Sequence, residues 1–223
     1  MSLIDVMKKV NMPDEFIANI SNDDLLDDSL DFVQKIYDLA KEEDPSFAPF
    51  RALGITQCCI GDFNNQDYVI KIPFTHTVEC DEDEPEELYW NYTQKAYDMS
   101  KEIAEAGISK FFALVTIEGK TLNGYPIYTQ IWVRPACRGC SDLRKTPISE
   151  STPAIAKDTY EKYENPFSEE WTEDCIELYG EEKFIDLLKY LSTYQCDMHS
   201  GNYGWDKNGL PKILDYSGYE EQY

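Results

Sequence analysis

The chain has 223 residues, 42% of them hydrophobic and 13% aromatic, which is enough apolar surface to build a core and excludes a disordered polymer. Forty-three acidic residues against twenty basic ones give a formal net charge of −23. That balance excludes direct nucleic-acid binding through the phosphate backbone, which needs clustered Lys and Arg.

No apolar run is long enough for a transmembrane helix, and the opening "MSLIDVMKKV" is too short and too charged for a signal-peptide core. An odd count of seven cysteines then reads as reduced thiols and a cytoplasmic location. The acidic stretches "DDLLDD", "KEED", "DEDEPEE" and "SEEWTED" read first as solvated faces. The sharper reading is a surface that imitates nucleic acid and fills a basic groove on a partner protein.

Residues 1–49 read as a helical extension. "LLDDSLDFVQKIYDLAKEED" carries Leu26, Leu30, Val33, Ile36 and Tyr37 near helical spacing, with Pro45 as a stop, and a shorter helix precedes it. From residue 50 the pattern turns to strands. "FRALGITQCCIGDF" and "YVIKIPF" flank the polar turn "NNQD" and read as antiparallel partners. The charged run "DEDEPEE" leads into a long helix that Gly107 ends. "KFFALVTIEG" and "YPIYTQIWV" are the next two strands. Residues 134–170 form an irregular connection, with some helix around 153–163. "EEKFIDLLKYLSTYQ" is an amphipathic helix with Phe184, Leu187, Leu188 and Leu191 on one face. A hairpin follows, across "CDMHSGNYG" and "PKILDYSG". Strands gathered in the first half favour an α+β arrangement over alternating βαβ units.

Several residues carry chemistry in an order that phosphoryl transfer needs. Lys71 lies inside the apolar strand "YVIKIPF", where a lysine calls for a negative partner. Glu87 comes sixteen residues later, at the start of the long helix, with Glu84 and Glu86 as rivals for that role. Asp197 follows a helix, Asn202 lies five residues on, and Asp215 thirteen beyond that. Strand "PKIL" should bring Asp215 to the same end of the hairpin as Asn202. A carboxylate and a neutral amide oxygen suit Mg²⁺, a hard cation that prefers oxygen.

"CDMHSGNYG…KILDYSG" resembles the catalytic and metal-binding segments of the protein-kinase-like superfamily, in particular the aminoglycoside and small-molecule phosphotransferases and the kinase-like proteins of bacteria and phages. "VIK" resembles the lysine strand of the same family. The resemblance implies a two-lobed α+β fold: the helical extension at 1–49, an N-lobe of small antiparallel sheet plus helix at 50–133, and an abbreviated helical C-lobe with the catalytic hairpin at 134–223. It implies ATP and Mg²⁺ as cofactors. Asp197 would be the catalytic base, Asn202 and Asp215 the metal ligands, and Lys71 the contact to the nucleotide phosphates with Glu87 as its partner. "IWVRPA", including Val133 and Pro135, would be the hinge that binds adenine through its backbone.

The departures from the family are equally legible. Gly54 and Gly61 in "GITQCCIG" are fewer than a Gly-rich loop carries, "QC" precedes Asp197 in place of His-Arg, and "DYSG" replaces "DFG". Eight residues follow Asp215, where a kinase would place its substrate-binding helices. The leading expectation is a phosphotransferase acting on a hydroxyl of a protein or small molecule, of a kind that suits a phage acting on host components. The alternative is a catalytically inactive, acidic regulator that blocks a host protein with a basic surface.

Two further features read as structural. His199 is expected to donate to a backbone carbonyl within its loop. Cys137 and Cys140 form a lone CxxC that could join His76 and Cys80 in a zinc site, but with no second CxxC they read as ordinary thiols.

Overall fold

The computed structural model describes residues 2–13, 23–54, 57–73, 76–78, 88–136, 163, 165–195, 198–216 and 220–221, with 23–30, 76–78, 88–90, 194–195 and 220–221 placed as backbone elements. It is a mixed α+β structure in two compact units. The first comprises residues 1–97 and 115–131, and the second residues 98–114 and 132–223.

The first unit is built on a five-stranded antiparallel sheet in the order β1-β2-β3-β7-β6. Its strands are β1 (Pro49–Leu53), β2 (Gln57–Asp62), β3 (Asn65–Pro73), β6 (Thr116–Lys120) and β7 (Pro126–Ile131). A separate two-stranded ribbon joins β4 (His76–Val78) to β5 (Leu88–Trp90). The apolar run "FRALGITQCCIGDF" is two strands that pair with each other, which makes three strands with β3, within the expected two or three. Gly54 donates its N–H to the Gln57 carbonyl at 2.9 Å where the run doubles back.

Side chains alternate across a strand, so β3 presents two faces. Tyr68, Ile70 and Ile72 lie on one, with Cys58, Ile60 and Ile127 from the neighbouring strands. Helices α1 (Leu3–Met7) and α2 (Asp23–Glu43) cover that face. They contribute Leu3, Val6, Met7, Val33, Ile36 and Tyr37 to one continuous core. The N-terminal helices therefore share a core with the sheet. Ser2 starts α1 with a capping box, its hydroxyl accepting from the Asp5 N–H while the Asp5 carboxylate accepts from the Ser2 N–H.

The opposite face belongs to α3 (Tyr92–Glu105), which reaches it from its first turns. Thr93 Oγ1 donates to Gln57 Oε1 at 3.0 Å, Tyr128 Oη donates to Gln94 Oε1 at 2.5 Å, and the Tyr97 ring meets Tyr128 edge-on.

In the second unit, β8 (Val133–Pro135), β10 (Tyr203–Asp206) and β11 (Pro211–Ile213) form a three-stranded antiparallel sheet in the order β11-β10-β8. β9 (Tyr194–Gln195) pairs with β12 (Glu220–Glu221). Two consecutive helices, α4 (Glu169–Tyr179) and α5 (Glu181–Leu191), meet at Gly180, whose φ of 86° only glycine adopts freely. α5 is the expected amphipathic helix, and Phe184, Leu187, Leu188 and Leu191 are all buried.

α4 is an addition to the sequence reading. Ser168 caps it, its Oγ accepting from the Trp171 N–H, and Glu169 and Glu170 occupy the favourable acidic first turn. It docks on β10 through Trp171 Nε1, which donates to the Gly204 carbonyl at 2.9 Å, and through Asp174, which accepts from Trp205 Nε1 at 2.7 Å. The stretch "KFFA", expected as strand, is a 3₁₀ turn over Ser109–Phe111 followed by extended chain. Phe111, Phe112 and Ala113 are buried there, and Ala113 donates to the Ile213 carbonyl at 2.9 Å. The expected helix near 153–163 falls outside the described residues, apart from Tyr163.

Two measurements test this architecture. A Cβ on Gly204 would stand 2.0 Å from the Arg134 carbonyl oxygen, a backbone atom that cannot swing aside. Gly204→Ala should therefore cost about 3 kcal/mol or more in urea denaturation, since β8 must separate from β10. Gly209→Ala, in open space but at a φ of 78°, should cost about 1 kcal/mol.

Burial pushes the Cys58 thiol up to about 12 from its ordinary 9.0. The unfolded thiol ionises first as pH rises, so the unfolded state binds fewer protons and stability falls between those values. Cys58→Val should flatten that alkaline decline.

Candidate functional site

Lys71 sits on β3, the central strand of the five-stranded sheet, and is 5% exposed. It belongs to the face that α3 reaches, not to the face packed on the N-terminal helices. Its cross-strand neighbours are Cys59 on β2 and Tyr128 on β7. Tyr128 is buried, and its hydroxyl donates to Gln94 on α3. Among the described residues, the Lys71 ammonium makes no hydrogen bond and no ion pair. A buried cation of this kind is costly unless an anion meets it. Glu87, Glu84 and Glu86 lie outside the described residues.

Asn202 and Asp215 belong to the second unit and flank the β10–β11 hairpin. Tyr203 pairs with Ile213, and Leu214 donates its N–H to the Asn202 carbonyl at 2.8 Å. This register places Asn202 directly beside the residue before Asp215, at one end of the hairpin, as the sequence led one to expect. Both side chains are half-buried. The far end closes over Asp206, whose Oδ1 accepts from the N–H groups of Asn208 and Leu210 at 2.8 and 3.0 Å.

Tyr216 holds the chain immediately after Asp215. It is fully buried, its hydroxyl lies 2.8 Å from Ser100 Oγ, it donates to the Ala113 carbonyl at 3.3 Å, and its ring meets Phe112 edge-on. Tyrosine in "DYSG" thus supplies polar bonds that phenylalanine could not make.

The loop before Asn202 carries two residues of interest. His199 is half-buried, and its Nδ1 accepts from the Gly201 N–H at 3.0 Å. The expectation that this ring would donate to a carbonyl is replaced by the reverse bond. Ser200 is 4% exposed, and its hydroxyl has no hydrogen-bond partner among the described residues. Serine in such a loop reads as a turn former, so nothing in the residue order marks Ser200.

Val133 is buried and Pro135 half-buried, both on β8. They pair with Asp206 and Gly204 on β10, and Ala136 donates to the Tyr203 carbonyl at 2.9 Å. The expected adenine hinge is thus a strand whose one edge is already committed to the hairpin that carries Asn202.

Asp197, Cys80, Cys137 and Cys140 lie outside the described residues, and His76 is placed only as backbone in β4. Among the described residues, no group of three or more His, Cys, Asp or Glu is placed to hold a metal ion, and no helix is long and apolar enough to cross a membrane. The chain matches no protein-family model, and no curated protein is significantly similar to it.

A buried hydroxyl without a partner costs about 1–3 kcal/mol. Ser200→Ala is therefore expected to raise stability by about 1 kcal/mol, read as an increase in Tm. A decrease would show that the hydroxyl is satisfied.

Proposed function

We propose that this chain is an ATP- and Mg²⁺-dependent phosphotransferase of protein-kinase-like architecture, which phosphorylates a hydroxyl group of a protein or small molecule. The observation that carries the reading is Lys71: a lysine 5% exposed on a central strand, with no anion beside it among the described residues. Nucleotide phosphates supply the missing charge. The helix that reaches the lysine face, α3, follows β3 in the chain, as the family resemblance requires of an N-lobe helix.

The hairpin supports the same reading from the second unit. An amide and a carboxylate at one end of it offer two hard oxygen donors, the chemistry that Mg²⁺ takes. A bound Mg²⁺ would neutralise phosphate oxygens during transfer. In this reading Lys71 orients the phosphates, Asn202 and Asp215 hold the metal, Asp197 positions the acceptor hydroxyl, and the backbone around Val133 and Pro135 takes the adenine. The setting is a cytoplasm, that of a host cell if the protein is phage-encoded.

The net charge of −23 favours a second reading, a catalytically inactive kinase-like regulator whose acidic surface occupies a basic groove on a host protein. Binding of that kind weakens steeply as salt rises.

The test is the melting temperature with Mg·ATP. A ligand at one hundred times its Kd stabilises the native state by about 2.7 kcal/mol. The intact protein should show a clear rise in Tm, and Lys71→Met and Asp215→Asn should each abolish it while remaining folded. Absence of any rise in the intact protein overturns the phosphotransferase reading. A rise without phosphate transfer to any acceptor in a host extract favours the regulator.

A further inference from the structure

Cys58 and Cys59 are neighbours on β2, and strand alternation sends them to opposite faces of the sheet. Cys58 is 1% exposed and belongs to the core with Ile60, Ile70 and Ile72 beneath the N-terminal helices. Burial pushes that thiol up to about 12, which keeps it protonated and inert near neutral pH. Cys175, on α4, is fully buried and is pushed up for the same reason. Cys59 differs from both. It is half-buried, it is in no disulfide, and it stands on the face of Lys71.

Cys59 and Lys71 are direct partners in the β2–β3 register. Residues directly opposite in an antiparallel pair project from the same face, with Cβ atoms about 4.5–5.5 Å apart. The thiol therefore leaves the sheet beside the stem of a lysine that is 5% exposed. Among the described residues that lysine has no hydrogen bond and no ion pair. A buried cation in that state is short of an anion. A cation beside a thiol favours the thiolate, and the thiolate is the form that attacks a disulfide.

We propose that Cys59 is a regulatory thiol, converted by a small carboxylate-bearing disulfide into a mixed disulfide that closes the Lys71 site to nucleotide. The closing of the site rests on the phosphotransferase reading; the reaction at the thiol does not. The Cys59 thiolate attacks one sulfur of the disulfide. A bond from Cys59 to that sulfur forms as the reagent's own sulfur–sulfur bond breaks. The other half leaves as a thiolate and takes up the proton that Cys59 gave to solvent. One disulfide is consumed and one is made, so no further oxidant is needed, and excess thiol reverses the step.

Charge selects the reagent. A chain of net charge −23 repels small anions, so its thiols in general react better with cationic disulfides than with anionic ones. Lys71 reverses that preference locally. A disulfide of the glutathione class brings carboxylates, the anion that the lysine lacks. Once attached, the added group competes for the space beside Lys71 that the nucleotide phosphates are assigned.

The test sets two disulfides of opposite charge, glutathione disulfide and cystamine, against the full chain, both folded and in urea. Peptide mass identifies each modified cysteine. At Cys59, the rate ratio of glutathione disulfide to cystamine should be about tenfold or more higher in the folded protein than in the unfolded chain. Lys71→Met should remove that difference. Cys58 and Cys175 should react only in urea. A ratio equal in the folded and unfolded chain, or a folded ratio unchanged in K71M, overturns the assignment. Should K71M fail to fold, the folded and unfolded ratios of the intact protein decide.

The effect on the site is read as Tm. The glutathione adduct should lose the rise with Mg·ATP, and a thiol reductant should restore it. Cys59→Ser should keep the rise in the presence of glutathione disulfide. An adduct whose Tm still rises with Mg·ATP as much as the unmodified protein's overturns the regulatory role, and so does a C59S variant that glutathione disulfide still silences. No rise in the unmodified protein overturns the phosphotransferase reading and the regulatory role with it, while the rate ratio at Cys59 decides the reactive thiol by itself.

Discussion

The alternation of side chains along β3 is the constraint on which the first unit depends. This strand is buried on both faces along its second half, and its two sets of side chains meet different neighbours. Ile70 and Ile72 pack with Ile60, Cys58 and Ile127 beneath the N-terminal helices. Lys71, one residue out of phase, is carried to the other side, between Cys59 and Tyr128. A shift of one residue in register would carry the lysine into the aliphatic core beneath the N-terminal helices and the isoleucines to the opposite face. Each fully buried isoleucine contributes about 1.5–3 kcal/mol, so the aliphatic face fixes where the cation must be.

The second unit solves a comparable problem with hydrogen bonds. Its three-stranded sheet is small, and strands this short do not hold register by burial alone. Register here is set by close approach at Gly204, by Trp171 and Trp205 bonding across to and from α4, and by Asp206 closing the hairpin loop. Tyr216 then ties down the chain just past Asp215. Asn202 and Asp215, both half-buried, lie next to these restrained positions.

Local chemistry in the loop before the hairpin shows how backbone and side chain divide the work. The turn from His199 to Asn202 uses glycine at its third position, and the absence of a side chain there lets the imidazole fold back onto the Gly201 N–H. The buried hydroxyl of Ser200, in the same turn, has no hydrogen-bond partner among the described residues, a local cost to stability.

Sequence pattern by itself determined the amphipathic α5 with its four buried apolar residues, the antiparallel strands around Lys71, and the hairpin that brings Asn202 to Asp215. Each of these rests on a short period, two for strands and 3.6 for helices, that residue order displays directly. It also singled out Lys71, because a lysine within an apolar run contradicts its surroundings. Only the tertiary structure decided the rest. Acidic residues hid the apolar face of α4, whose helix is specified by Ser168 at one end, Gly180 at the other and Trp171 docked on β10. The apolar run "KFFA" is buried as a 3₁₀ turn and extended chain, joined to Ile213 by a single parallel bridge at Phe112 and by the Ala113 N–H, a choice that depends on a residue about a hundred positions away in sequence. That His199 Nδ1 accepts from the Gly201 N–H is likewise invisible in the residue order, because it depends on the backbone dihedrals of a turn and on the space that a missing Cβ leaves.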